Sequence, residues 1–320
     1  MDLRQLRYFV ALANQGHFGR AASVLHVAQP ALTRQIQLLE EELGVQLFVR
    51  HSRGATPTEE ATFLLERANF LLRYAEQLKQ DMSALQRTPR GPIVLGLSPG
   101  LAMTLAAPLT HAVQNALPDV RLRFVQAFSP VLHDMLLKGQ VDLAILNGPV
   151  PLANLATYPF LTEGLCLIRQ PESPRKRTGP KIGLKQLADL PLVMTGLAKS
   201  GVRLELEAQA AQAGIQLNPV VEVETIEVAK RLVQAGVGVT VHFAATVQED
   251  IEAGRLAASP IEGLHMRRIL AHTSDRPASR ATKALVVILR EVARDLVAHK
   301  RWPHAVLDYR EQERMAVGES

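Results

Sequence analysis

Three apolar stripes open the chain. Leu3, Leu6, Phe9, Val10 and Ala13 recur at helical spacing, as do Ala21, Ala22 and Leu25, and then Leu32, Ile36, Leu39 and Leu43. Each stripe predicts a short amphipathic helix, and three such helices suffice for one small core. Ala21 and Ala22 let two of them approach closely. Pro30 suits a first helical turn, where a backbone N–H has no partner anyway. The residues 47–50 and 55–58 predict two short strands. Between them His51-Ser52-Arg53-Gly54 forms a turn, with Gly54 free to take positive φ. Thr58 is then a good N-cap, followed by Glu59 and Glu60 at the positive end of a helix dipole. The helical pattern runs on to about residue 86. Within it Leu64, Leu71, Leu78 and Leu85 fall seven apart, with Ala68, Ala75 and Met82 at the complementary positions. That alternation is a coiled-coil seam, and a helix of about 30 residues spans about 45 Å. The competing reading is a helix packed on its own domain.

The pattern changes after residues 87–92, where two prolines and a glycine break the helix. Strand-like and helix-like segments then alternate. Residues 93–97, 120–125 and 141–146 predict strands, and 101–116 and 130–137 predict helices, a β-α-β-α-β order that builds a doubly wound sheet. A second α/β set follows from about Glu163. It contains strands near 191–194 and 220–223, helices near 202–213 and 226–235, and a closing segment at 236–241. A strand at 268–271 and a helix at 279–298 look like a return to the first set.

Candidate chemistry lies first in residues 18–36. Here Gln29, Thr33 and Arg34 share the polar face at the start of the third helix, beside Pro30. A helix with its apolar face tied down and such donors on its exposed start suits the DNA major groove. Arg bonds guanine bidentately, Gln bonds adenine, and Thr touches the thymine methyl. A hairpin with Arg53 at its tip is a wing, and Arg53 suits phosphate or a narrow minor groove. The alternatives are a surface helical hairpin and a solvated turn arginine.

The run LRQLRYFVALANQGHFGRAASVLHVAQPALTRQIQLLEEELGVQLFVRHSRGATPTEE resembles the winged helix-turn-helix of LysR-type transcriptional regulators almost without a gap. The resemblance extends to about residue 296. The phrases QLADLPLVMTG, AGIQLNPVVEVETIEVAKRLVQAGVGV and VDLAILNGP are similar to the nitrogen-assimilation-control branch. Ala28 and Gly19 stand where relatives carry helix-capping Ser or Thr, Ala61 replaces a Gly, and Phe243 stands where many relatives have Pro. The resemblance implies a sequence-specific, DNA-binding transcription regulator that is not an enzyme. It implies an α/β chain with a winged helix-turn-helix at 1–58 and a long dimerising linker helix at 59–87. A two-lobed, periplasmic-binding-protein-like effector domain follows. Lobe I takes 88–162 and 267–300 and lobe II takes 163–266; 301–320 run past the resemblance and read as a partly ordered tail without an assigned role.

Ligands in open α/β sheets sit beyond strand carboxyl ends, beside helix N-termini. The matching positions are Ser98, Pro99 and Gly100, then Phe128 and Ser129, then Asn147; in the other lobe they are Thr195, Ser200, Arg203 and Thr225. Hydroxyls and free N–H groups at helix starts favour an anionic effector. Arg203 either binds its carboxylate or pairs with Glu205 or Glu207. The other implied partners are operator DNA, a second copy of the chain in a dimer or homotetramer, and RNA polymerase where transcription is activated.

Composition narrows this picture without redirecting it. The 320 residues are 47% hydrophobic, enough for two or three domains with cores. The net charge of +5 is not concentrated in the N-terminal module, so geometry rather than bulk charge carries the DNA argument. Cys166 is the only cysteine and lies in an apolar run, which reads as a core thiol rather than a disulfide or zinc ligand. No phosphate-binding loop, dinucleotide fingerprint, metal cluster or nucleophile motif appears, so no cofactor or metal is expected. No secretory leader or membrane-length apolar run is present, and a cytoplasmic protein is expected.

Overall fold

A computed structural model describes residues 1–51, 54–83, 89–148, 154–172, 178–196, 201–275 and 277–308. The chain divides into two units, one built from Met1–Arg87, the other from Thr88–Leu137 and Val141–Ser320. The first contains α1 (Leu3–Gln15), α2 (Phe18–Leu25), α3 (Gln29–Leu43), β1 (Phe48–His51), β2 (Gly54–Pro57) and α4 (Glu59–Ser83). Asp2 and Gln5 form a reciprocal capping box at the start of α1. Ala28 precedes α3 without any side-chain cap. The cap of α2 is His17, not Gly19: its Nδ1 accepts the Gly19 N–H at 3.0 Å. Gly19 already lies inside the helix, so the residue type there costs no cap.

Leu6, Phe9, Leu12, Leu32, Ile36 and Leu39 bury the inner faces of the first and third helices. Phe48 of β1 joins this core, its ring 5.6 Å from that of Phe9 and 6.4 Å from that of Phe18. Glu40 of α3 accepts the N–H groups of Leu47 and Phe48 at 2.7 and 3.1 Å, which fixes where the hairpin leaves the helix. Ala61 and Ala68 of α4 are fully buried in the same core, with Leu64 and Leu72 packed against it. The expected seam therefore divides. Leu64 faces its own unit, Leu71 and Leu78 are exposed, and Leu85 lies outside the described residues. A small buried residue at each of two turns draws the first half of α4 onto its own domain.

The second unit continues with β3 (Gly91–Leu97), α5 (Pro99–Ala116), β4 (Val120–Gln126), α6 (Ser129–Leu137), β5 (Leu143–Gly148), β6 (Leu155–Arg169), β7 (Leu192–Thr195) and α7 (Gly201–Gln212). It closes with β8 (Pro219–Val223), α8 (Ile226–Gln234), β9 (Thr240–Phe243), α9 (Gln248–Glu252), β10 (Ala257–Thr273), α10 (Arg280–Ala298) and β11 (Ala305–Leu307). The main sheet has the order β11-β6-β10-β5-β3-β4, with β9 also paired to β6. The β3, β4 and β5 strands are parallel, whereas β10 is antiparallel to both β5 and β6.

One feature departs from the sequence reading. The strand expected at 268–271 lies within a longer one, β10 with 17 residues, and β6, with 15, runs across the boundary expected near Glu163. Each passes through two cores. Leu161 and Leu270 belong to a cluster with β3, α5 and α10, while Leu165, Leu264 and Met266 belong to a cluster with β7, α7 and β9. The tail, expected to be partly ordered, is structured at its start. Trp302 is 1% exposed and β11 pairs with β6, while 309–320 lie outside the described residues. Cys166 is buried, and burial pushes its thiol up to about 12, as suits a core residue.

Candidate functional site

The first candidate surface is the start of α3. Gln29, Pro30 and Arg34 are exposed and Thr33 is half-buried, at the start of a helix whose Leu32, Ile36 and Leu39 are fully buried; Pro30 and Arg34 lie opposite that buried stripe. The helix begins with no side chain capping its first N–H groups. Arg53 lies outside the described residues, but the strands that flank it are fixed. The Ala55 N–H donates to the Gly16 carbonyl at 2.9 Å, joining the hairpin to the end of α1. Arg50 on β1 stacks its guanidinium 4.5 Å from the Phe18 ring centre.

The second candidate is a cleft in the other unit. Eight of the ten expected residues line it, namely Ser98, Pro99, Gly100, Phe128, Ser129, Asn147, Thr195 and Thr225. They converge because α5, α6 and α8 all begin there, each just after a strand or turn. Ser98 caps α5 through the Leu101 N–H and Thr225 caps α8 through the Val228 N–H. Ser129 accepts the Asn147 N–H at 3.0 Å, linking two strand ends. Ser200 lies outside the described residues.

Arg203 does not line the cleft. Its guanidinium donates to Glu207 at 2.8 Å and to both oxygens of Glu222 at 2.7 and 3.2 Å. Those carboxylates raise its pKa above the ordinary value, and the pairing holds Glu222 below its own. Of the two roles open to Arg203, the structure shows ion pairing, with Glu222 as a partner from the neighbouring strand that sequence spacing does not suggest.

The cation in the lining is Arg268, accompanied by His242, Phe243 and Glu224. Arg268 is 2% exposed, as is Glu163, its ion-pair partner at 3.2 Å. One Arg268 Nη donates to the Asn147 side chain, and its guanidinium lies 4.3 Å from the Phe243 ring centre. The Trp302 indole N–H donates to the other Glu163 oxygen at 2.8 Å. Burial pushes the Glu163 carboxyl up, and Arg268 and Trp302 oppose that shift. Burial likewise lowers the His242 pKa, to about 3, with the Arg268 charge adding to the effect. His242 is therefore neutral at pH 7. Its Nδ1 meets the Thr246 hydroxyl at 3.0 Å, and that hydroxyl donates to the Phe243 carbonyl. Nδ1 thus carries the proton, and Nε2 is an acceptor. Gly100 permits this packing, since a Cβ there would lie 3.2 Å from the imidazole.

Comparison with known proteins identifies both units. A family described as "Bacterial regulatory helix-turn-helix protein, lysR family" matches residues 3–62, and "LysR substrate binding domain" matches residues 86–294. The chain belongs to the LysR family. It is a DNA-binding transcriptional regulator with a C-terminal effector-binding domain, and like other LysR regulators it oligomerises.

Among LysR relatives, the chain is 34% identical to the nitrogen assimilation regulatory protein nac of Klebsiella aerogenes over 242 residues, 75% of this chain and 78% of that one. It is 29% identical to the transcriptional regulator BbuR of Bordetella bronchiseptica, covering 95% of this chain and 93% of that one. Full-length CbnR, solved in a complex with its target DNA, shares the fold at TM-score 0.67 and 23% identity, covering 92% of this chain and 99% of that one. These matches support a nac-like LysR regulator. The matched proteins are regulators, not enzymes. Among the described residues no helix is long and apolar enough to cross a membrane.

Sequence reasoning missed Arg268, His242, Glu163 and Trp302. One signal was present for Glu163: it is the one charged side chain between Leu155 and Ile168, and a charge in such a strand needs a partner when buried.

Proposed function

We propose that the start of α3 enters the major groove of operator DNA, with Gln29, Thr33 and Arg34 at base edges and Pro30 against them. Arg53 at the wing tip contacts phosphate or the minor groove. The observation that carries this reading is an exposed polar helix start whose opposite face is wholly buried. Such a helix is held rigidly by its own domain while its donors stay free for DNA. Two chains joined along α4 hold two heads at a set separation. Paired dimers form a homotetramer that spans several half-sites and bends the DNA between them. A small organic anion binds among the helix starts of the cleft, where N–H groups and dipoles favour negative charge. It shifts the populations of two DNA-bound geometries. RNA polymerase is the partner where the regulator activates, and the cytoplasm is the place of action.

Selection on a randomised operator library tests the reading head. Arg34→Ala loses about 1–3 kcal/mol of discrimination at one base position, seen as a flattened column in the selected sequences. An unchanged column removes Arg34 from the reading set. Melting the full chain with a panel of metabolites tests the cleft. An organic acid at a hundred times its dissociation constant adds about 2.7 kcal/mol to stability, and Ser98→Ala blunts the shift. Stabilisation only by neutral or cationic compounds overturns the anion assignment.

A further inference from the structure

We propose that Arg268 is the residue that holds the effector's anionic group, and that Trp302, from chain beyond the matched LysR domain, sets its availability through Glu163. This rests on the reading of the cleft as the effector site.

The argument starts from where the charges lie. Glu163 and Arg268 occupy the short stretches of β6 and β10 in which one core gives way to the other. A buried ion pair there is costly unless its geometry serves something. The register of β10 against β6 slips between Arg268 and Ile269, and bulges of this kind re-aim a side chain. Arg268 so placed lines the cleft, and its Nε has no hydrogen-bond partner among the described residues although the side chain is 3% exposed. A buried guanidinium with an open donor is a place for a carboxylate, because its fork matches carboxylate geometry.

Glu163 alone would neutralise that cation. It does not act alone. Each of its two oxygens has one donor, Arg268 on one and the Trp302 indole on the other. Trp302 thus draws one oxygen away and limits Glu163 to a single contact with the guanidinium. The segment that supplies Trp302 is anchored where it must be. Ala305 of β11 pairs with Glu163 itself, and Thr162 donates to Asp308 at 2.7 Å. The family match ends at residue 294, so this device lies outside it.

Trp302 is the only tryptophan in the chain, and its emission reports on Glu163 directly. The full-length protein is titrated with sodium acetate, succinate and benzoate, and with acetamide, succinamide and benzamide, at constant ionic strength. Tryptophan emission and the melting midpoint are followed. At least one carboxylate gives a saturable response that its amide does not. Arg268→Gln weakens that binding at least tenfold, and Arg268→Lys, which keeps the buried charge, weakens it as well because the fork is lost. Glu163→Gln tightens binding several-fold. Trp302→Phe, read by melting, weakens it several-fold, yet Trp302→Phe combined with Glu163→Gln binds as tightly as Glu163→Gln alone. That rescue separates positioning from simple packing. Equal carboxylate binding in wild type and both Arg268 variants overturns the inference and leaves an anion cleft with another anchor. Trp302→Phe with unchanged affinity, or without rescue, overturns the role of Trp302. Equal binding of amides and carboxylates, or no saturable response at all, overturns the anion cleft together with the inference.

Discussion

Replacing Leu71 and Leu78 together by Asp is expected to split the dimer proposed along α4 and to lower operator affinity about 100-fold or more. The reason lies in how α4 divides its two faces. Ala61, Leu64, Ala68 and Leu72 face their own unit, so they are not available to a partner. On the other side Phe63, Leu71, Tyr74 and Leu78 are 60%, 39%, 39% and 54% exposed, with the Phe70 and Tyr74 rings stacked at 6.2 Å. A row of large apolar side chains left open on a helix marks an association surface. In an assembled seam, Asp at two successive turns buries charge without a partner. Loss of the dimer also removes the second reading head, and linked binding is worth about 10²–10⁴ in affinity. Sedimentation and operator titration of the double variant provide the check. An unchanged assembly with normal operator affinity means that the subunits meet elsewhere.

A single methyl group at Gly54 destabilises the DNA-binding unit as much as a typical core deletion does. Gly54 has φ +144, and a Cβ there would lie 2.2 Å from the Gly16 carbonyl oxygen. That carbonyl is backbone, and it accepts the Ala55 N–H that ties hairpin to helix. Neither side can yield without breaking the tie. Gly54→Ala costs about 3 kcal/mol through strain and overpacking combined. The two units give separate signals, since the sole tryptophan lies in the other one. Helical ellipticity lost at lower denaturant, with the Trp302 emission transition unmoved, is the expected result. Operator binding fails under the same conditions. Coincident, wild-type transitions by both probes contradict the contact.

Much of this regulator was legible along the chain because the signals were local. Apolar spacing within each of the first three helices names the buried face and, by exclusion, the exposed start of α3 with Gln29 and Arg34. A helix keeps i and i+4 neighbours together whatever else the chain does. The same holds for the cleft positions Ser98, Ser129 and Thr225. Each is a hydroxyl at the junction of a strand and a helix, and junctions of parallel α/β units gather at one edge of their sheet. Repeat spacing alone, by contrast, could not assign the partners of a leucine row. Leu64 and Leu71 are equivalent in the pattern, yet only Leu64 packs on its own domain: a straight helix drifts about 20° per heptad, and the contact one heptad on falls to Leu72 instead.

The sequence by itself determined the elements, their order and the polar helix starts, since each depends on residues within a few positions of one another. Only the tertiary structure decided which cation serves the cleft. Arg203 is itself an expected site residue, but Glu222, 19 residues away, takes its charge. Arg268 reaches the cleft through a bulged strand. It is balanced by Glu163, 105 positions earlier, which in turn is held by Trp302, 139 positions later. No local propensity encodes such a chain of contacts. It arises because two long strands cross between cores and a terminal segment pairs beside one of them, and burial then requires every charge left there to find a partner.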